Sequence, residues 1–178
     1  MRFAIFVLFF NLLTLCGLAQ SQAQSEAPLS DAEFVRKEVR HELLMLPYLD
    51  VFDYLEYRVD GNEVTLMGQV TRPQLKSDAE RAVKRIEGVT YVNNEIEVLP
   101  LSPSDDRLRL RLFHFIYGYA ALQKYALGVN KPIRIIVNKG HVNLEGVVDN
   151  EADKNIAFIR ANSVSDVFSV RNNLQVVR

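Results

Sequence analysis

Reactive side chains are scarce in this sequence of 178 residues, which holds one cysteine, Cys16, and three histidines. A single thiol cannot close an internal disulfide or build a cysteine metal site. The histidines, His41, His114 and His141, fall at unlike positions of the repeat described below, so they predict no shared metal or catalytic centre. A phosphate-binding glycine loop and a nucleophile elbow are both missing. These absences favour a protein that is not an enzyme and that needs no metal or cofactor.

The first apolar run covers residues 3–15, with two polar interruptions, and follows the positive charge of Arg2. A run of about 13 residues is short for a membrane-spanning helix, which needs roughly 20, and it matches the apolar core of a secretory signal peptide. Small residues mark two cleavage points, after Ala19 and after Ala23. We therefore expect residues 1–23 to be removed and the mature protein to be periplasmic or secreted.

Cys16 offers a different route to the envelope. Residues 13–16 resemble the lipobox of a lipoprotein, in which the cysteine receives the lipid anchor. The residue before a lipidated cysteine is small, whereas Leu15 is large. Export followed by cleavage is therefore the preferred prediction, and the lipoprotein is its alternative.

The rest of the chain is an internal repeat with an offset of 78 residues. Residues 64–70 are echoed by 142–148, and the match continues to the last strand of each copy without a gap. Between the copies, residues 99–105 contain two prolines and two serines, a composition typical of linkers. The sequence thus predicts one domain at 24–98 and a second at 106–178.

Each copy follows the same predicted order of elements. A helical stripe that ends at Pro47 is followed by two alternating segments around a turn, which predict a β-hairpin. A second helix begins near Pro73, and a last strand covers about 89–98. This order predicts an α+β fold of two αββαβ two-layer sandwiches, each with two helices on a three-stranded mixed sheet. The second helix is a crossover, so the last strand should run parallel to its neighbour.

These residues resemble the BON domain, named for bacterial osmotically induced and nodulation proteins. The resemblance rests on alternating apolar residues, a glycine inside the second strand and an asparagine in the last strand. In the first copy these are Val64, Leu66, Gly68, Val70, Gly88, Val89, Val92, Asn94, Ile96 and Val98. In the second they are Val142, Leu144, Gly146, Val148, Val167, Val170, Asn172, Leu174 and Val176. The second copy has Asp166 in place of the glycine before the last strand, so the sequence does not determine the conformation of that turn.

The resemblance implies an exported protein of the Gram-negative envelope without known catalytic residues. It further implies phospholipid binding, maintenance of envelope integrity and a link to osmotic stress. The glycines have structural interpretations: Gly68 and Gly146 indicate a bulge or a close approach of two backbones, and Gly88 indicates a helix end. Three acidic residues before the first strand, Asp50, Asp53 and Glu56, are interpreted as a solvated loop.

Charge is distributed unequally between the copies. Residues 24–100 carry nine lysines and arginines against fifteen acidic residues, a net charge of −6. Residues 101–178 carry eleven against seven, a net charge of +4. The basic copy could therefore meet anionic lipid headgroups or the acidic first copy. Nucleic acid is not an expected partner, because the total charge is near zero and no continuous basic motif is present.

The first helix of the second copy, expected at 106–127, has more apolar residues than one core needs. Matching it to the first copy at the offset of 78 gives a core face of Phe113, Tyr117 and Ala121. A second apolar stripe, which indicates burial on another side, consists of Leu108, Leu112, Phe115, Tyr119, Leu122 and Ala126.

Basic residues border this stripe, a pattern typical of helices that lie in a membrane interface. The sequence allows three partners for this stripe: the first domain, an anionic phospholipid surface, and a protein partner or second copy. The oligomeric state is undetermined. A protein-binding adaptor or periplasmic chaperone-like module is the alternative function. The candidate lipid or partner contacts are Arg107, Arg111, Leu112, His114, Phe115, Tyr119 and Leu122.

Overall fold

The computed structural model describes residues 31–177, in two units of the same design. The first unit contains α1 (Asp31–Leu44), β1 (Tyr54–Asp60), β2 (Glu63–Val70), α2 (Pro73–Val83), β3 (Tyr91–Asn94) and β4 (Glu97–Val98). The second contains α3 (Pro103–Tyr117), a 3-10 helix (Ala120–Ala126), β5 (Ile133–Asn138), β6 (His141–Val148), α4 (Glu151–Asn162), β7 (Ser169–Asn172) and β8 (Gln175–Val176). The α+β fold of two αββαβ units is confirmed. The predicted signal peptide and Cys16 lie outside the described residues.

Each sheet is three strands wide, as the sequence predicts, and its third strand is broken into two short pieces. β1 pairs with β2 in antiparallel orientation, and both β3 and β4 pair with β2 in parallel. Glu63 lies opposite Tyr91 and Gln69 opposite Glu97, so the register is the same for β3 and β4. The two are one edge line with a short break, and β7 and β8 repeat the arrangement beside β6. The predicted parallel pairing is confirmed.

An asparagine holds the break in each edge line. The side-chain amide of Asn94 donates to the Lys76 carbonyl in α2 at 2.9 Å, and its oxygen accepts from the Ile96 amide at 3.2 Å. Asn172 makes the equivalent bonds to Lys154 and Leu174 at 2.9 and 3.3 Å. The asparagine thus satisfies a backbone amide just after each break and ties the edge line to the neighbouring helix, which explains why both copies carry it.

The two strand glycines mark a close backbone approach. Gly68 and Gly146 have φ angles of +118° and +107°. A Cβ at Gly68 would overlap the carbonyl oxygen of Tyr54, and one at Gly146 would overlap that of Pro132. Both the positive φ and the lack of space require glycine, so this part of the interpretation is confirmed.

The turn before the last strand is the same in both units despite the missing glycine. Gly88 has a φ of +88°, and Asp166 adopts a φ of +69°. Aspartate tolerates this left-handed conformation better than most residues. Its carboxylate lies 2.7 Å from a guanidinium nitrogen of Arg111, which also donates to the Ser165 carbonyl at 3.2 Å. An ion pair to the neighbouring helix therefore accompanies the strained backbone.

The first helix of the second unit differs from its prediction. α3 ends at Tyr117, Gly118 caps it, and a separate 3-10 helix follows instead of one helix over 106–127. The predicted core face is correct for Tyr117, which is buried in the second core, but Ala121 is exposed and Phe113 only half-buried. Leu108, Leu112 and Ile116 also face the core, and they correspond to Val35, Val39 and Leu43 of α1.

This correspondence has a spacing of 73 residues, not 78, so the chain between α3 and β5 is five residues longer than its counterpart between α1 and β1. The extra residues form part of the connection that contains the 3-10 helix. Extending the strand offset of 78 back through this connection wrongly placed Phe113 and Ala121 on the core face.

The segment after α1 joins the units. Val51 is 4% exposed and belongs to the apolar core of the second unit. Its carbonyl accepts a hydrogen bond from the Ile135 amide at 2.9 Å, at the open side of edge strand β5. Phe52 packs edge-to-face on Phe113 at 6.4 Å between ring centroids. The first unit thereby covers a sheet edge that would otherwise be open to strand pairing.

The interpretation of the acidic loop as solvated is wrong for Asp53. This residue is 1% exposed, and its carboxylate accepts from the amide and hydroxyl of Thr71 at 2.7 and 2.8 Å. It also accepts from the Asp50 amide at 3.0 Å. Asp53 therefore fixes the shape of the segment that carries Val51 into the second unit.

Candidate binding surface

Of the seven candidate contact residues, two lie in the core. Leu112 and Leu122 are fully buried within the second unit, together with Leu108. The expected second apolar stripe is therefore not one continuous surface, and the two leucines cannot touch a partner. Arg107, His114, Phe115 and Tyr119 are exposed, and Arg111 is half-buried. A binding role for these five residues stays a prediction.

The exposed aromatic residues meet an arginine from α4. The guanidinium carbon of Arg160 lies 5.1 Å from the ring centres of both Phe115 and Tyr119. Its Nε donates to the Phe115 carbonyl at 3.0 Å, near the end of α3. Phe115 and Tyr119 nevertheless remain 39% and 42% exposed as whole residues. We call Phe115, Tyr119 and Arg160 the arginine–aromatic cluster.

Basic residues lie on α3 in line with Phe115 of the arginine–aromatic cluster. Arg107, Arg111 and Phe115 are spaced by four residues and so share one face of the helix. Arg111 is neutralised by Asp166, as described above, whereas Arg107 is exposed. The surface therefore presents two aromatic rings flanked by the charges of Arg107 and Arg160.

The same face of the first unit has a different character. At the spacing of 73, Glu38 and Glu42 of α1 occupy the positions of Arg111 and Phe115. Both are only half-buried on α1. The two helices thus share a core pattern but not a surface, and the basic aromatic face belongs to the second unit alone.

Among residues 31–177, the opposite charges of the two units form no salt bridge that joins a described residue of one unit to a described residue of the other. The ion pairs of Arg81, Lys84, Arg109, Arg111 and Lys124 each join two residues of one unit. The contacts found between units are the apolar, aromatic and backbone contacts around Val51, with a hydrogen bond from Arg134 to the Asp50 carbonyl at 2.8 Å. The positive charge of the second unit therefore lies largely at its surface.

A polar network near the 3-10 helix has a structural explanation. The ammonium of Lys124 lies 2.6 Å from Asp149 and 2.8 Å from Asp153, and hydrogen bonds to these carboxylates raise its pKa. The Tyr125 hydroxyl donates to Asp153 at 2.6 Å and accepts from the Asp149 amide. Hydrogen bonds from Lys124 and Tyr125 lower the pKa of Asp153. The network ties the 3-10 helix to the start of α4.

Within residues 31–177, no three histidine, cysteine, aspartate or glutamate side chains are grouped so that they could hold a metal ion. His141 bonds to the Ser169 hydroxyl at 2.7 Å, and His41 and His114 are exposed on separate helices. None of the helices in that range is long and apolar enough to cross a bilayer.

The family model of the BON domain matches residues 31–100 and 120–178. The chain belongs to the BON domain family. This confirms the resemblance drawn from the repeated glycine and asparagine motifs. Helix α3 lies between the two matched segments, so the family match does not include Arg107, Arg111 and Phe115.

Two solved structures resemble the chain weakly. The C-terminal domain of CdsD, described as the structural protein of the type III secretion system of Chlamydia trachomatis, is 12% identical, with 80% of this chain and 96% of that chain covered and a TM-score of 0.30. A second structure of CdsD is 11% identical, with coverages of 80% and 92% and a TM-score of 0.29. Superpositions this loose carry no functional argument. Comparison with curated proteins gives no match.

Proposed function

We propose that this BON protein is a non-catalytic envelope protein that binds an anionic phospholipid surface through the arginine–aromatic cluster. Export to the periplasm and a role in envelope integrity under osmotic stress belong to the same proposal. The observation that carries it is the exposure of Phe115 and Tyr119 beneath the guanidinium of Arg160. Aromatic rings enter the boundary between headgroups and acyl chains, while arginine keeps its charge at the headgroup phosphates.

The expected affinity is modest. An aromatic side chain buries roughly 200 Å², so the exposed two fifths of each residue offer about 80 Å², worth about 2 kcal/mol per residue at ~25 cal/mol/Å². Arg107 and Arg160 add about 1 kcal/mol each at an anionic surface. A gross gain of about 6 kcal/mol, reduced by the cost of association, gives weak and reversible binding. Such binding depends on the anionic lipid fraction and weakens with salt.

Vesicle flotation tests the proposal. The protein should float with vesicles that contain 30% phosphatidylglycerol in phosphatidylcholine, and it should stay at the bottom with pure phosphatidylcholine. The double variant Phe115→Ser/Tyr119→Ser should lose binding by at least about 100-fold, since the two rings carry most of the estimated gain. Leu112 is not a useful probe, because a charge placed at this buried position would disrupt the core.

The first unit provides a matched control. Phe34 and Tyr91 are 41% and 58% exposed, so Phe34→Ser/Tyr91→Ser removes the same chemistry from the other half of the protein. This control should bind like the wild type. Equal binding by both double variants, or equal flotation with and without phosphatidylglycerol, would reject the surface. Recovery of one stoichiometric polypeptide from detergent-treated envelope extract, without vesicle binding, would favour the protein-binding adaptor instead.

A further inference from the structure

A groove of about 510 Å³ lies at the junction between the two units. Its apolar walls come from both units: Leu44, Leu49 and Leu55 on one side, and Pro132 and Val147 on the other. Leu44 and Val147 are 37% and 42% exposed, so the apolar wall is open to a ligand. The volume falls in the range of small-molecule sites, which occur preferentially at domain boundaries.

Three cations line the same groove: Arg40 from α1, Lys131 from the loop before β5, and Arg134 from β5. Arg134 is half-buried and donates one hydrogen bond to the Asp50 carbonyl, although a guanidinium has five donors. Among the described residues, Arg40, Lys131 and Arg134 have no carboxylate within salt-bridge distance. Burial lowers the pKa of Arg134, as expected for a cation that has lost water.

The acidic groups near the groove are Asp50, Asp53 and Glu145, and the Asp50 carboxylate accepts from the Val51 amide at 2.6 Å. Asp53 also lines the groove, but its two oxygens accept the hydrogen bonds from Thr71 and the Asp50 amide described above. Glu145, which lies opposite Arg134 in the β5–β6 register, accepts from the Asn173 side chain at 2.6 Å. The groove lining therefore carries three cations against the single carboxylate of Asp53, beside an apolar wall. A desolvated cation is stabilised by an anion that shares its site.

We propose that this groove binds a single-chain anionic amphiphile of the fatty-acid class. Its carboxylate lies between Arg134 and Lys131, and its hydrocarbon chain packs on Leu44, Leu55 and Val147. At about 30 Å³ for a water-sized group, the groove has room for roughly a dozen methylene-sized groups and a headgroup. This site is separate from the arginine–aromatic cluster and takes one soluble molecule rather than a bilayer, so it does not depend on the proposed function.

Titration with laurate, kept below its micelle concentration, tests the site by amide chemical shifts of ¹⁵N-labelled protein. Shifts should concentrate at residues 130–134, 146–147 and 53–57, with saturation. Lys131→Gln and Arg134→Gln should each weaken binding about tenfold, the size expected for a charge-assisted hydrogen bond. Leu44→Asn should weaken it as well, because the chain loses apolar contact. Arg58→Gln, an exposed arginine of β1 outside the groove, is the control and should change binding less than twofold.

Acetate lacks the chain and dodecyltrimethylammonium reverses the charge, so neither should saturate these amides. Laurate without localised shifts, equal binding of the cationic amphiphile, or unchanged binding in Lys131→Gln would each overturn the proposal. Lys131 lies in a loop, so its variant remains informative if Arg134→Gln disturbs the contact with Asp50. Vesicle flotation of the same variants separates this site from the membrane surface, since Lys131→Gln should float like the wild type.

Discussion

Truncation of Val51 should destabilise the second unit although this residue belongs in sequence to the first. Val51→Ala removes two methyl groups that are 4% exposed within the second core. At about 0.8 kcal/mol for each buried methylene-sized group, with a further cost for the cavity, the free energy of unfolding should fall by about 2 kcal/mol. The hydrogen bond from the Ile135 amide to the Val51 carbonyl involves only backbone, so the variant isolates the side chain.

Urea unfolding followed by far-UV circular dichroism gives the magnitude, and hydrogen exchange gives the location. Protection should fall more in α3 and β5 than in α1 and α2, because the segment that carries Val51 contacts Phe113 of α3 and Ile135 of β5. Val129→Ala is the matched control, because Val129 is 95% exposed and its truncation should change stability by less than about 0.5 kcal/mol. A Val51→Ala effect as small as the control, or loss of protection confined to the first unit, would refute the account of how the units are joined.

Three further outcomes are expected from stability measurements. Gly146→Ala should cost more than Gly128→Ala, because both need a positive φ but only Gly146 meets a carbonyl oxygen; equal costs in urea unfolding would contradict this. Asp166→Gly should relieve backbone strain of about 1 kcal/mol while losing the exposed ion pair to Arg111, so stability should rise slightly or stay constant; a loss above about 1 kcal/mol would assign the ion pair more weight than an exposed pair carries. The folded pKa of Asp153 is lowered, so its carboxylate stabilises the fold above its unfolded pKa of about 3.9, and the advantage of wild type over Asp153→Asn should shrink as pH falls through the lower folded value.

The fold was accessible from sequence because its signals are local. Alternation in β2 and β6, the turn at Gly61 and the glycines at 68 and 146 each depend on a few neighbouring residues. The parallel edge strand followed from the handed crossover through α2. These features recur at a fixed offset, so each copy supported the interpretation of the other.

The surface of α3 was harder to predict because its periodicity is ambiguous. A helix with apolar residues on two sides can present either side to the core. The five-residue insertion before β5 changes the offset between the copies from 73 to 78, so the strand offset could not identify the buried side of α3. The sequence did not indicate that Arg160 belongs to this surface, because its contact with Phe115 joins residues 45 positions apart. The burial of Asp53 was likewise hidden, because its partner Thr71 lies 18 positions away on another element.

The absence of tryptophan from the sequence makes possible a direct test of membrane contact. Tyr119→Trp places a single indole in the arginine–aromatic cluster, and Tyr91→Trp places one at an exposed site of the first unit. With phosphatidylglycerol vesicles that contain brominated acyl chains, we expect quenching and a blue shift for Tyr119→Trp and neither change for Tyr91→Trp. Equal quenching of both indoles, or none at Tyr119→Trp while the protein remains bound to the vesicles, would contradict the claim that this face meets the lipid.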